Sequence, residues 1–403
     1  MPRDAAEVEA AIRWALARGK ALELVGRGSK RVLGRAVQWD ATLDLSALSG
    51  VTLYEPEELV LSAKAGTSLA EIETLVTASR QGLAFEPMDY GPLLGTAAAT
   101  GSIGGALAAN LSGPRRIKAG AARDHFLGVS AVSGRGEIFK SGGRVVKNVT
   151  GYDLCKLLAG SWGTLAAMTE VTIKTLPQAE TEESVLALGL GDAAAGKAMT
   201  AALGSYADVS AAAHLPALAA ARIAQSAPAG DAVTAFRLEG VAPSIRHRKS
   251  VLETLIAPFG TLATLKEASS RALWQAVRDV TPFAAAGPGG GRYVWRLSTR
   301  PSHSIDVGRT LADQLGAELL FDWAGGLVWA ALPPADDAGA ALVRATVAAA
   351  GGYATLIRAP AAVRAAVAVF TPEPAVLAEL TQRVRKSFDP QGVLNAGRMW
   401  AGI

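Results

Sequence analysis

Cysteine is almost missing from this chain. Its 403 residues hold one, Cys155, so no internal disulfide can form and no cysteine-only metal or iron–sulfur site can be housed here. Histidine is nearly as scarce. His125, His214, His247 and His303 are the whole set, and none stands at ligand spacing from another histidine or from the cysteine, so no metal site is expected. No Ser/His/Asp arrangement stands out. Runs of one charge are missing too: 40 Lys+Arg face 36 Asp+Glu, and despite a pI of about 9.2 no basic block interleaves with aromatics, which argues against nucleic acid as a partner. The chain also lacks long hydrophobic runs. Met1–Lys20 carries Asp4, Glu7 and Glu9 and has no apolar signal core. The longest low-charge stretch, 91–113, is mostly Gly, Ala, Ser and Thr with Pro92 and Asn110, which reads as buried backbone and not as a membrane span. A cytoplasmic, reducing location is the expectation.

What the chain does have is apolar bulk and glycine. Half the residues are hydrophobic and 43 are glycine, enough for two or three domains. Asp4 and Glu7 read as a capping box for a helix closed by Gly19, and Ser68 with Glu71 reads as a second one for a helix through Arg80. Short apolar or alternating segments at 21–25, 42–45, 59–65 and 169–175 predict strands, 126–132 with 137–140 predicts a hairpin, and a short helix is expected near Asp153. After Pro177 the order becomes strand 184–190, helix 192–203, strands 207–213 and 233–239, and helix 243–256. A similar order recurs as 292–298, 303–315, 318–322, 327–331, 335–349 and 353–358. Two ferredoxin-like halves, or one continuous antiparallel sheet with helices on one face, both fit. Gly287–Gly291 is the expected linker or mobile loop between them, and a last helix spans Pro374–Lys386.

Three glycine-rich loops carry the functional signal. Gly26-Arg27-Gly28-Ser29-Lys30 follows a strand, but Arg31 stands where a dinucleotide fingerprint needs its third glycine and no long helix follows, so pyrophosphate binding in the Rossmann manner is not expected. Its backbone N–H groups are instead suited to an anion-binding nest, with Lys30 or Arg27 as counter-charge. Thr100–Gly113 is too rich in glycine for an ordinary helix or strand and suits close approach to a flat ligand. Gly160-Ser161-Trp162-Gly163-Thr164-Leu165 is the third loop.

In that order these loops resemble the FAD-binding fold of the vanillyl-alcohol oxidase family. Glu55–Leu59 with Ala65-Gly66-Thr67, and the tail Phe388-Asp389-Pro390 to Asn395-Ala396-Gly397-Arg398, resemble further parts of it. Three segments (Gly113–Arg116, Arg123–Val129 and Val146–Asp153) narrow the resemblance to the FAD-binding subunits of bacterial glycolate oxidase. The resemblance implies an α+β chain. Residues 1–177 would form a two-subdomain PCMH-type FAD-binding domain and 178–372 an antiparallel-sheet and helix (ferredoxin-like) cap domain. Residues 373–403 would form a C-terminal helix and tail returning to the FAD domain. It implies FAD held non-covalently by Gly26, Arg27, Gly28, Ser29, Lys30, Thr100, Gly101, Ser102, Gly104, Gly105, Ser112 and Gly163. It also implies oxidation of glycolate or a related 2-hydroxy acid, a paralogous FAD-binding catalytic subunit, an iron–sulfur subunit, and inner-membrane association through those partners. A self-sufficient FAD-dependent 2-hydroxy-acid dehydrogenase and a non-catalytic assembly subunit are the alternatives; the missing histidine cluster counts against the former. Arg296 and Arg398 are the candidates for holding a substrate carboxylate, and no residue stands out as a general base. Tyr152 and Lys147 read as loop-fixing residues, His125 as the start of a strand, His247 as a solvated helix face and His303 as a helix start.

Overall fold

The computed structural model describes residues 1–145, 151–224 and 230–401. The segment Val146–Thr150, which contains Lys147, lies outside the described residues. The fold is α+β, built on two antiparallel sheets. Helix α1 (Ala5–Arg18) starts where Asp4 accepts the Glu7 N–H at 2.8 Å and ends on Gly19. Only half of the expected capping box forms, because Glu7 takes the Arg3 N–H at 2.9 Å and not that of Asp4. Strands β1 (Leu22–Val25) and β2 (Ala41–Asp44) pair in parallel beneath it. β3 (Val51–Glu55), β4 (Val60–Lys64), β5 (Phe126–Ser133), β6 (Ile138–Gly142) and β7 (Ala166–Lys174) form a sheet in the order β3-β4-β7-β5-β6. The alternation in β4 does not mean one wet face. Ser62 is buried and hydrogen-bonds Thr172 at 2.8 Å across the sheet.

Two expectations fail between β4 and β5. Helix α2 spans Leu69–Ala78, short of Arg80, and Ser68 does not cap it with its side chain. Ser68 is occupied in a backbone bridge to Ser102. The glycine-rich stretch does contain a helix, α3 (Ile103–Ala108), capped by Ser102. Two consecutive glycines oppose a helix by about 1 kcal/mol each, but a Cβ on Gly104 would fall 2.8 Å from both the Cβ and the carbonyl oxygen of Ala65. Close packing against the end of β4 therefore decides the local conformation.

The rest of the chain builds one eight-stranded sheet. Its strands are β8 (Thr181–Leu188), β9 (Ala211–Leu215), β10 (Val233–Gly240), β11 (Thr261–Lys266), β12 (Tyr293–Ser298), β13 (Glu318–Asp322), β14 (Leu327–Leu332) and β15 (Tyr353–Arg358), in the order β11-β8-β10-β9-β13-β14-β12-β15. Each half has the ferredoxin-like order, and the two join edge to edge through the His214–Phe321 pairing of β9 and β13. The two topologies left open by the sequence thus hold together. Helices α4 (Asp192–Leu203) and α5 (Ala242–Ile256) bury their apolar faces on Val185, Ala187, Phe236 and Leu238. On the opposite face Leu186, Ala213 and Ala235 share a core with Leu61, Phe85 and Ile103 of the N-terminal region. Helix α6 (Glu267–Arg278) lies on that inner face, where Trp274 donates to Ser184 at 2.7 Å. Helices α7 (Ser304–Leu315) and α8 (Ala340–Ala349) complete the second half.

Gly287–Gly291 joins the two halves of the sheet. The Arg358 guanidinium ties the carbonyls of Phe283, Gly289, Arg292 and Leu93 together at 2.5–3.1 Å. Helix α9 (Ala375–Phe388) leads into the tail, where Leu394 bridges in parallel to Leu22. No helix among the described residues is long and apolar enough to cross a membrane.

Candidate functional site

The three glycine loops meet in one crevice. It is lined by the segment from Leu24 to Arg31 after β1, by Ser102, Gly104, Gly105 and Ala108 of α3, by Trp162 and Gly163, and by Asn395 and Arg398 of the tail. Bare backbone is what lets them meet. A Cβ on Gly26 would fall 2.7 Å from Ser102 Oγ, one on Gly105 3.3 Å from Lys30 Nζ, and one on Gly163 2.8 Å from Asn395 Nδ2. Asn395 joins two of the loops: its Oδ1 accepts the Leu24 N–H at 2.8 Å and its Nδ2 donates to the Trp162 carbonyl at 2.7 Å.

Cations concentrate at this crevice without acids to match. Lys30 Nζ touches Ser29 Oγ at 3.2 Å, and Lys30 forms no ion pair among the described residues. Burial, aided by repulsion from Arg398, pulls its ammonium down to about 8. Arg398, itself buried, donates to the Lys30 carbonyl at 3.0 Å, and burial lowers its guanidinium to about 10. Two desolvated cations beside exposed backbone N–H groups fit a phosphate-bearing ligand. Arg31, which follows the loop, is committed elsewhere, in a two-bond pair with Glu23 at 2.9 and 2.6 Å.

Trp162 lines this crevice and also a second cavity of about 460 Å³ that lies against the inner face of the eight-stranded sheet. Its walls are apolar and aromatic (Met88, Tyr90, Leu111, Trp329, Phe370), with polar groups that include Ser112, Arg116, Arg278, Arg296, Asp322, Tyr353 and Glu373. Arg116 and Arg296 place their guanidinium carbons 4.8 and 5.1 Å from the Trp323 ring. Neither forms an ion pair among the described residues; Arg116 donates to Ser112 Oγ at 3.1 Å. Burial and the nearby Arg296 lower the Arg116 guanidinium. Burial opposes ionisation of Tyr353, yet Arg296, Ser298 and Arg116 together hold its phenol below the ordinary value. Asp322 is buried, accepts the Trp323 N–H at 2.7 Å, and is pushed up to about 7, chiefly by burial.

The crevice therefore brings together Gly26, Arg27, Gly28, Ser29, Lys30, Ser102, Gly104, Gly105 and Gly163. Three expected residues lie elsewhere. Ser112 opens onto the second cavity beside Arg116. Gly101 gives its carbonyl to the Leu69 N–H at 3.0 Å, and Thr100 donates to Ala97 O at 3.0 Å, so both serve the turn before α3. Arg296 and Arg398 are in different cavities, so they do not grip one carboxylate together. The sequence reading missed Asn395 as the tie between loops, and Arg116, Asp322 and Tyr353. Arg116 and Asp322 sit in segments that stood out in the sequence, but nothing local indicates that they face one cavity.

The histidines stay away from both spaces. His125 ends a short helical turn just before β5, fully buried, with Nε2 on Ala119 O at 2.8 Å; it is not a strand residue. His214 is held between Thr234 and Asp192 at 2.9 and 3.1 Å, His247 is exposed on α5, and His303 precedes α7. Tyr152 is 91% exposed, with its carbonyl 3.5 Å from Ser141 Oγ. Among the described residues no three His, Cys, Asp or Glu side chains cluster as a metal site.

Residues 1–142 match the FAD binding domain family. The chain is 31% identical over 389 residues to glycolate oxidase subunit GlcE of Escherichia coli, covering 95% of this chain and 93% of that protein. It is 41% identical over 97 residues to a D-lactate dehydrogenase of Archaeoglobus fulgidus, a stretch spanning 24% of this chain and 20% of that one. Its fold superposes on substrate-bound p-cresol methylhydroxylase with a TM-score of 0.74 at 12% identity, covering 99% of this chain and 87% of the other.

Proposed function

Since the chain belongs to the family of FAD-dependent oxidoreductases that includes glycolate oxidase subunit GlcE, we propose that it is the FAD-carrying subunit of a glycolate oxidase-type complex. It would support oxidation of glycolate, a 2-hydroxy acid, to glyoxylate and pass electrons to an iron–sulfur partner. A paralogous FAD-binding subunit completes this reading, and any membrane association runs through those partners. Residues 1–177 hold the cofactor, 178–372 cover it, and 373–403 return to it.

One observation carries the proposal: the glycine loops and the tail converge on half-buried Lys30 and buried Arg398, two cations in a crevice lined by no acid. The pyrophosphate of FAD supplies the missing negative charge. In this reading the Gly26–Lys30 backbone and Lys30 hold it, Ser102, Gly104 and Gly105 let the cofactor lie close, and Trp162 and Gly163 form the wall toward the second cavity. In this reading the flavin is held non-covalently. Bound FAD supplies a two-electron acceptor. The chain's own part is to orient a hydroxy acid in the second cavity, with Arg296 on its carboxylate, and to exclude water there with Met88, Leu111, Trp329 and Phe370.

Purification of the chain alone and with its partners tests this. A yellow protein whose colour is bleached anaerobically by glycolate in the presence of the partners is the expected result. A colourless protein sinks the reading, because the crevice then holds no flavin. A yellow protein that glycolate leaves oxidised even in the complex makes the chain an assembly subunit.

A further inference from the structure

The second cavity contains more than one arginine and more than a passive wall. Resting on the flavin reading above, we propose that this chain has its own hydroxy-acid site, in which Arg116 and Arg296 bind the substrate carboxylate and Asp322 accepts the hydroxyl proton.

Four features of the cavity support this. Arg116 comes from the turn after Gly113 and Arg296 from β12, and both guanidiniums lie about 5 Å from the same indole, Trp323. Neither has a carboxylate partner among the described residues, whereas the adjacent Arg115 is fully occupied by Glu239 and Glu86. Side by side, then, one arginine serves the fold and the next is left for a ligand. An uncompensated arginine pair beside an aromatic plane is suited to a planar carboxylate.

The second feature is the backbone that sets the indole. Trp323 and Ala324 are consecutive non-glycine residues at φ of 52° and 53°, a conformation that costs energy and gathers at functional sites. It is fixed by Asp322, which takes the Trp323 N–H, and by the indole N–H, which donates to Gly113 O at 2.9 Å. Third, Asp322 is only 2% exposed, lines this cavity, and makes no ion pair among the described residues. An asparagine would cap Trp323 as well without the cost of burying an acid. Fourth, the groups facing Asp322 leave it poised. Burial, with Glu86 adding to it, outweighs the Trp323 N–H, Arg237 of β10 and Arg296 of β12, which pull its proton off, so that it is pushed up to about 7, where a proton acceptor works best. Tyr353 of β15, Tyr90, Arg278 of α6 and Glu373 also line the cavity. His214, on neighbouring β9, turns to Asp192 and Phe321 instead.

The reaction balances on these groups. The substrate O–H bond breaks and its proton goes to an Asp322 carboxylate oxygen. The oxygen's electron pair forms the C=O bond of the 2-oxo acid as the α C–H pair leaves as hydride to the family's oxidised FAD.

The test uses the flavin-loaded full chain and oxalate, a planar two-carbon carboxylate that cannot be oxidised by hydride loss, with binding followed by the flavin spectrum. Oxalate affinity of the wild type should fall as pH rises through about 7, because Asp322 becomes anionic. Arg116→Lys or Arg296→Lys should weaken oxalate about tenfold or more with flavin content unchanged, since the planar fork is lost while the charge stays. Asp322→Asn should bind oxalate without the step near neutrality and, in the complex with the partners, should slow anaerobic flavin reduction by glycolate or D-lactate by about 100-fold or more. The wild-type titration needs no variant and stands even if Asp322→Asn fails to fold. A colourless protein overturns the flavin reading and this inference with it. A yellow protein with pH-independent oxalate binding overturns this inference alone. So does one whose step disappears in Tyr353→Phe but survives in Asp322→Asn, or whose oxalate affinity ignores both lysine variants.

Discussion

Lys30 carries opposite consequences for stability and for binding. Its ammonium is drawn down to about 8 from 10.5 by burial and by Arg398. Between those values the unfolded chain holds a proton that the folded one has released, so the FAD-free protein gains stability as pH rises through that window. Lys30→Met should remove this slope and add up to about 3 kcal/mol near neutral pH, because it deletes a half-buried charge that has no ion pair among the described residues. The same change should weaken FAD binding by about tenfold or more, the worth of a charge-assisted phosphate contact. Urea unfolding of the FAD-free protein at pH 7.5 and 9.5, with flavin titration alongside, checks both signs; a variant that binds FAD as tightly as the wild type would place the pyrophosphate elsewhere. At this scale the sequence was informative where chemistry is local. Gly26–Lys30 announces an anion site by composition. Arg398 does not announce its place: it reaches the Lys30 carbonyl across 368 positions of chain, and no local pattern distinguishes that from a grip on substrate.

Between elements, the inner face of the eight-stranded sheet is fixed to the N-terminal region by one buried charge cluster. Arg237 of β10 donates twice to Glu86 at 2.8 and 2.9 Å, Arg115 donates its N–H to Glu86 at 2.9 Å and its side chain to Glu239, and Arg237 also lies 4.9 Å over Trp274 of α6. Burial alone would push the Glu86 carboxyl up, but Arg237 and Arg115 outweigh it and hold it at about 2. An acid depressed in the fold stabilises above its unfolded value and loses that contribution as pH falls toward the folded one, here from about 4.5 to about 2. Glu86→Gln should cost about 3 kcal/mol at pH 7 by leaving Arg237 buried without its main counter-charge. The gap from wild type should close between pH 5 and 2.5, which urea midpoints across that range would show; a constant gap would mean lost packing and not lost charge. Periodicity predicts the elements of this sheet well: Asp192–Leu203, Glu318–Asp322 and Tyr353–Arg358 form as expected. Helix α3 escapes it because two glycines carry no helical signal, and only the nearness of Ala65 makes them necessary. The starts of β9 and of α8 fall later than expected, where Asp208 and Ala338 adopt left-handed φ of 51° and 52°.

At the scale of the whole molecule, the last residues complete the site that the first residues begin. Leu394 is fully buried and bridges Leu22; the Leu22 N–H donates to Val393 O at 2.7 Å and the Asn395 N–H to Leu22 O at 2.9 Å, so the tail acts as an added edge on β1. Asp389 organises the turn by accepting the Val393 and Leu394 N–H groups at 2.9 and 2.8 Å. Ending the chain after Gln391 removes this edge together with Asn395 and Arg398, two walls of the crevice. The eight-stranded sheet draws none of its strands from the tail, so the shortened protein should keep most of its far-ultraviolet circular dichroism while losing its flavin. Asn395→Ala is the finer version: it leaves the Leu24 N–H and the Trp162 carbonyl without their partner at about 1–3 kcal/mol each, and it loosens the first and third glycine loops from one another without deleting a residue. FAD affinity should fall by about tenfold or more, and the melting temperature of the FAD-free protein should drop by a few degrees. Affinity equal to wild type in Asn395→Ala would mean that the loops hold their approach without the tail. The convergence around Lys30 would then be a property of residues 1–177 alone.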